Sequence, residues 1–343
     1  MAEAVASRVF VPVEPGPAEP AVPAPGWPLH RLRGSSMGTD WSVQAYAPPG
    51  VAAAQLQAAI VRELDHAIAL FSSWHGHSEV ARFNAAPAGA WRFSPPCWAL
   101  LADSLAWAQA SGGAVDPTLG ALVDLWGFGP AGPRPAHAPV PEQGEIARAL
   151  QCSGWQRVQA DPVQRTLRKP AGLRLDLSGI AKGWAVDQVS ARLEREGARA
   201  HLVEIGGELK ARGLKHDLQP WWVALEDGAA GPPQRSLLAL VDMAVATSGD
   251  YRRYIEHGGR RYAHTIDGRT GWPVAHGTAA VTVLHAQAAQ ADALATALTA
   301  MAPPQALDWA DRQGLAVRLT LRSGDASQEH LSRAMAAMLE PAA

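Results

Sequence analysis

The chain has 343 residues, a formal net charge of −2, 48% hydrophobic residues and 18% charged ones, enough apolar side chain for a sizeable buried core. Its lysines and arginines are scattered rather than gathered into a basic stripe, which argues against a nucleic-acid backbone or an anionic membrane surface as partner. Cys97 and Cys152 stand outside any C-x-x-C spacing, so neither a zinc site nor a redox pair is expected.

Residues 12–28 hold seven prolines among small and acidic residues, and residues 1–28 read as a disordered tail. No run of about 18 apolar residues is present, and the start lacks the basic-then-apolar order of a secretory leader. The chain as written therefore reads as cytoplasmic, with a periplasmic location open if a leader was removed. A single domain is expected over 29–343, opening with a turn and an alternating strand in 33–46.

Leu56, Ile60, Leu64 and Ile68 have helical spacing within 52–70, and that helix delivers the loop FSSWHGHSE. A second helix is expected over 97–110, stopped by Ser111-Gly112-Gly113, with loop over 130–141. Residues 173–177, 179–196 and 201–210 read as strand, helix and strand, the last ending in Gly206-Gly207. Further strands are expected at 221–226, 241–248 and 279–285, a hairpin-like stretch at 260–266 with Asp267-Gly268 as its turn, and a helix at 289–301. The tail then predicts one more strand, 316–321, and one more helix, 328–339.

Three stretches carry chemistry. Asp292 and Thr296, four apart in AQADALATALTAM, lie on one helix face, and a carboxylate with a hydroxyl suits a hard cation such as Mg2+. The same spacing also serves plain capping and solvation. In RLDLSGIAKGWAVDQ, Asp176 precedes a glycine-flanked turn that opens the helix carrying Lys182, and amide groups at such a start face an anion. It is neither a Walker A loop nor a G-x-G-x-x-G fingerprint, and such turns also serve folding alone. The stretch 245–274 packs Ser248, Asp250, Arg252, Arg253, Tyr254, Tyr262, His264, Asp267 and Thr270 together, a polar density that folding alone does not require, although His264 equally suits a satisfied core position.

Taken together, these stretches resemble the FAD:protein FMN transferase family, also called the ApbE family. The matching blocks run in order: MGT at Met37, S-x-W-x-x-x-S-E from Ser72, VDPTLGALVDLWGFG from Val115, DLSGIAKGWAVD from Asp176, EIGGEL from Glu204, ATSGDYRRY from Ala246, H-x-I-D-x-R-T-G-x-P-V from His264 and ADALATAL from Ala291. Departures are small: Trp184, Glu208, Ser178 and Gly268 stand where Tyr, Asp, Gly and Pro are common.

The resemblance implies an α+β fold of mixed, largely antiparallel sheets with packed helices, two intertwined lobes and a flavin cleft between them. It implies FAD as substrate, held by Met37, Trp74, Ala114, Val115, Asp116, Asp176, Lys182 and Ile266, with Mg2+ on Asp292, Thr296 and the Gly179 carbonyl. The implied reaction moves FMN to a Ser or Thr hydroxyl in a motif of an acceptor flavoprotein and releases AMP, with His264 as general base and Asp250 and Asp267 orienting it or the metal's waters. Metal-dependent FAD hydrolysis to FMN and AMP, and non-catalytic FAD binding, are the alternatives.

Overall fold

The computed structural model describes residues 8–12, 19–135, 138–225, 236–249, 254–323 and 326–340. Along the chain, β1 (Arg8–Phe10) is followed by the hairpin β2 (Leu29–Ser36) and β3 (Thr39–Tyr46), then α1 (Ala53–Phe71), α2 (Glu79–Ala85), β4 (Gly89–Arg92) and α3 (Pro95–Ala110). Next come α4 (Gly120–Leu125), α5 (Gln143–Gln151), β5 (Gln159–Asp161), β6 (Thr166–Lys169), α6 (Ser178–Arg195), β7 (Ala200–Ile205) and β8 (Glu208–Arg212). The last third holds β9 (Trp221–Leu225), β10 (Ser236–Leu240), β11 (Ala244–Gly249), β12 (Tyr254–His257), β13 (Arg260–Ala263), β14 (Thr278–His285), α7 (Ala288–Ala300), α8 (Pro303–Arg312), β15 (Ala316–Ser323), β16 (Ala326–Leu331) and α9 (Arg333–Ala336).

Eight strands form the main sheet in the order β16-β15-β14-β11-β8-β7-β3-β2, each antiparallel to its neighbours. This is the expected α+β architecture. One face of β3 and β7 turns Val43, Val203 and Ile205 onto α1, α3 and α6, where Leu56, Ile60 and Leu64 fill the core at the predicted helical spacing. The other face carries Tyr46, Ala200 and Val245 against the small sheet β1-β10-β9. α7 is buried on nearly every side, which its AAQADALATALTA composition permits. A separate cluster joins α4 and α5 to β13: Trp126 stacks on Tyr262 at 5.5 Å and its indole N–H donates to the Gly271 carbonyl at 2.9 Å.

Four expectations are corrected. Residues 8–12 belong to the fold, because the triplet Arg8-Val9-Phe10 pairs in parallel with β10 and buries the Phe10 ring completely; proline content over the whole segment masks it. Residues 173–177 are extended but join no strand. Their partners are the Asn84 side-chain amide, bonded both ways to Leu175 at 2.7 and 2.8 Å, and the 117–120 loop. Residues 201–210 are not one strand: Gly206 and Gly207, at φ 63° and 104°, fold them into the β7–β8 hairpin. The helix expected at 328–339 is not formed as one element: its first four residues, 328–331, belong to β16, recruited by the open edge of β15, and helix is confined to the short α9 after it. Asp250, Arg252 and Arg253 lie outside the described residues.

Cys97 is fully buried and burial pushes its thiol up, so it packs as a small apolar side chain. Among the described residues no helix is long and apolar enough to cross a membrane.

Candidate functional site

One end of the main sheet gathers two tight turns. Met37 and Gly38, both left-handed at φ 53° and 73°, close the β2–β3 hairpin in the manner of a type I′ turn. Beside it, the Gly206 amide donates to the Asp40 carbonyl at 3.1 Å, and a Cβ at Gly206 would come within 2.8 Å of Thr39. The two turns are thus locked side by side. Glu208 follows directly and points inward.

Two helices cross beneath these turns. α6 and α7 pack so closely that a Cβ at Gly183 would lie 2.2 Å from the Ala288 carbonyl oxygen. The crossing brings together residues far apart in sequence. Asp292, 3% exposed, accepts from the Gly183 amide at 3.0 Å. One turn on, the Thr296 hydroxyl lies 3.5 Å from the Gly179 carbonyl oxygen. The Lys182 ammonium pairs with Glu208 and stands 3.7 Å from Asp292 Oδ1.

Burial raises the Asp292 carboxyl above its usual range, with Lys182 and the Gly183 amide pulling the other way. Burial also pushes Glu208 up to about 8; Lys182 opposes this and Asp292 adds to it. Two buried carboxyls beside one ammonium leave the site short of positive charge once both are ionised. Among the described residues no cluster of three or more His, Cys, Asp or Glu is placed to hold a metal. One carboxylate, one hydroxyl and one carbonyl nevertheless fit Mg2+, which keeps waters and takes further oxygens from phosphate.

Asp176 sits where the extended 173–177 segment enters α6: its carboxylate accepts from the Ser178 amide at 2.8 Å and its own amide donates to Pro117 at 2.8 Å. That bond ties it to the segment Ala114, Val115 and Asp116. The Asp116 carboxylate is spent locally, accepting from the Thr118 amide at 2.8 Å, the Thr118 hydroxyl at 2.6 Å and the Trp155 amide at 3.0 Å; it anchors this loop. A small pocket is lined by Ser73, Asn84, Gly120, Arg174 and Asp176, and Trp74, next to Ser73 in the chain, is 55% exposed and open to stacking.

His264 follows β13 and meets Phe128 edge to face at 6.3 Å. Ile266 is buried with Leu119 and Trp126. In the following turn Gly268 leaves room for Leu119 at 3.3 Å and for the Gly113 carbonyl at 3.6 Å from an added Cβ, which brings His264's segment against residue 114. Asp267 is committed to Arg269. Burial alone would raise its carboxyl, but the Arg269 side chain, bonding both oxygens at 2.9 and 2.8 Å, holds it below the usual range. Its described hydrogen bonds serve the turn rather than His264.

The structure therefore brings Gly179, Lys182, Asp292 and Thr296 into one cluster, while Asp176 lines the small pocket and is tied through Pro117 to the loop that Asp116 anchors. Glu208 is the residue that spacing alone did not single out: it lies in a strand after a Gly-Gly turn, and only the neighbouring strand order aims it at Lys182.

The sequence model of the ApbE family matches residues 37–319. An FAD:protein FMN transferase from Vibrio cholerae is 34% identical over 306 residues, covering 88% of this chain and 90% of the relative. The solved flavin transferase ApbE from Vibrio cholerae superposes with a TM-score of 0.84 at 33% identity, covering 91% of this chain and 100% of that one. The flavinyl transferase ApbE from Pseudomonas stutzeri does so at 0.83 and 36%, covering 92% and 98%.

Proposed function

Because this chain belongs to the ApbE family and is an FAD:protein FMN transferase, we propose that it uses Mg2+ at Asp292, Thr296 and the Gly179 carbonyl to move FMN from FAD onto a Ser or Thr hydroxyl of its acceptor flavoprotein. The observation that carries the metal reading is the α6–α7 crossing, which places the Thr296 hydroxyl 3.5 Å from the Gly179 carbonyl, one turn from a buried carboxylate.

The start of α6 presents the positive end of its dipole to the pyrophosphate, and Lys182 adds positive charge beside it. A bound divalent cation there would supply neutralisation of the phosphate oxygens. Trp74 stacks on one of FAD's ring systems, with Asp176 and the 114–116 segment also holding the FAD and Met37 and Ile266 completing the flavin contacts. His264 accepts the proton of the acceptor hydroxyl as its oxygen bonds to the FMN phosphorus; the bond from that phosphorus to the AMP phosphate breaks, and AMP leaves with the electron pair. The histidine suits this step because its ordinary pKa lies near neutrality.

The test is to incubate the protein with FAD and an acceptor bearing a candidate Ser or Thr, with Mg2+ or with EDTA, and follow products by mass spectrometry. An acceptor heavier by one FMN, with AMP released only when metal is present, is expected. Free FMN plus AMP without modified acceptor would replace transfer by hydrolysis, and transfer undiminished in EDTA would remove the metal. A His264→Ala variant is expected to bind FAD and transfer FMN about a hundredfold to ten-thousandfold more slowly; an unchanged rate would take the base role away from it.

A further inference from the structure

We propose that Glu208 is a positioning residue for the cation: it takes the Lys182 ammonium away from Asp292 when a divalent metal arrives, so that the lysine is the metal's stand-in until then. This rests on the reading of Asp292 as a metal ligand. The geometry is that of an exchange half made. Lys182 is closely paired with Glu208 Oε1 but stands 3.7 Å from Asp292 Oδ1, in ion-pair range and beyond a hydrogen bond. Asp292's other oxygen is fixed by the Gly183 amide at 3.0 Å. Its Oδ1 therefore faces the ammonium alone among the described contacts.

Glu208 has capacity to receive more. It is 2% exposed, and its Oε2 is buried without a hydrogen-bond partner, an arrangement that proteins seldom leave in place without a use. An ammonium has three donors, so a small rotation of the Lys182 side chain onto Oε2 would fill the orphaned oxygen and clear Asp292 in one movement. Without Glu208, the lysine would keep its ion pair with the carboxylate a metal needs, and cation and ammonium would compete for it.

The experiment counts free Mn2+ by electron paramagnetic resonance during titration of the whole protein without FAD at pH 8.5. Wild type is compared with Glu208→Gln, Lys182→Met, the double variant and Asp292→Ala. Glu208→Gln is expected to weaken Mn2+ binding about tenfold, Lys182→Met to tighten it, and the double variant to return to within about threefold of wild type, since the competitor is gone. A purely structural Glu208 would not be rescued by Lys182→Met. Unchanged binding in Glu208→Gln, or a double variant as weak as Glu208→Gln, overturns the proposal. If Glu208→Gln fails to fold, Lys182→Met alone decides, weaker or equal binding refuting it. Wild-type binding by Asp292→Ala would instead overturn the metal assignment on which it rests.

Discussion

Two lysine–aspartate pairs lie along the same α6–α7–β8 seam, and they are satisfied to different degrees. Asp187 accepts from Lys210 at 2.6 Å and from the amides of Ala288 and Ala289 at 3.1 and 3.0 Å, so both its oxygens are used and its charge faces the N-terminus of α7. Asp292, about one turn further along α7, has one amide, a distant ammonium and a neighbouring Glu208 with an orphaned oxygen. The first pair closes a helix start. The second is held short of satisfaction by a rigid frame, which is what a site awaiting a cation and a phosphate requires.

If the contrast holds, removing each aspartate does opposite things. Asp292→Ala is expected to lower metal-dependent FMN transfer about a thousandfold or more, while the folding midpoint moves little, because Lys182 keeps Glu208; a modification assay beside a thermal melt reads both, and near-normal transfer would dismiss the site. Asp187→Ala should instead appear in stability, at about 3 kcal/mol, since it strands Lys210 and two helix amides. Urea unfolding measures it, and a loss under about 1 kcal/mol would mean the pair is not the clamp described.

Gly183→Ala strikes the frame common to both. Its added methyl meets backbone at 2.2 Å, so the helices must part, at an expected cost of about 2–3 kcal/mol in the same unfolding assay, with Mn2+ binding weakened as well. Full stability in this variant would show that the crossing yields freely.

The smallest effect is in pH. Glu208, raised from 4.5 to about 8, holds a proton in the folded chain that the unfolded chain has released, so its contribution to stability is lost as pH rises between those values. Below about pH 6.5 the buried His201, lowered to about 4 by burial, contributes the opposite slope. Between pH 6.5 and 8 stability is therefore expected to fall by up to about 1.4 kcal/mol per unit, and Glu208→Gln should flatten that fall. A slope that survives the substitution assigns it elsewhere.

Much of this was legible beforehand where one element's own pattern decides its structure. The helices Ala53–Phe71, Pro95–Ala110, Ser178–Arg195 and Ala288–Ala300 follow from apolar spacing with glycine or proline at their ends, and β14 from its apolar run. Legibility stopped where a partner decides. Gln328–Leu331 has no strong preference of its own and becomes strand because β15 offers an edge; residues 173–177 have a strand's pattern and no strand beside them.

The site divides along the same line. Asp292 and Thr296 share a helix face because 3.6 residues make a turn, and Lys182 follows a glycine-flanked helix start; both follow from order along the chain, as do the collinear blocks that mark the family. That Gly179 comes to Thr296, that Lys182 is shared between two carboxyls, and that Glu208 takes part at all were decided only by the packing of α6 against α7 beneath β8. Contacts between residues 26 to 117 positions apart depend on how closely backbones approach, and at Gly183 that approach is set by the absence of a single Cβ, which no local periodicity records.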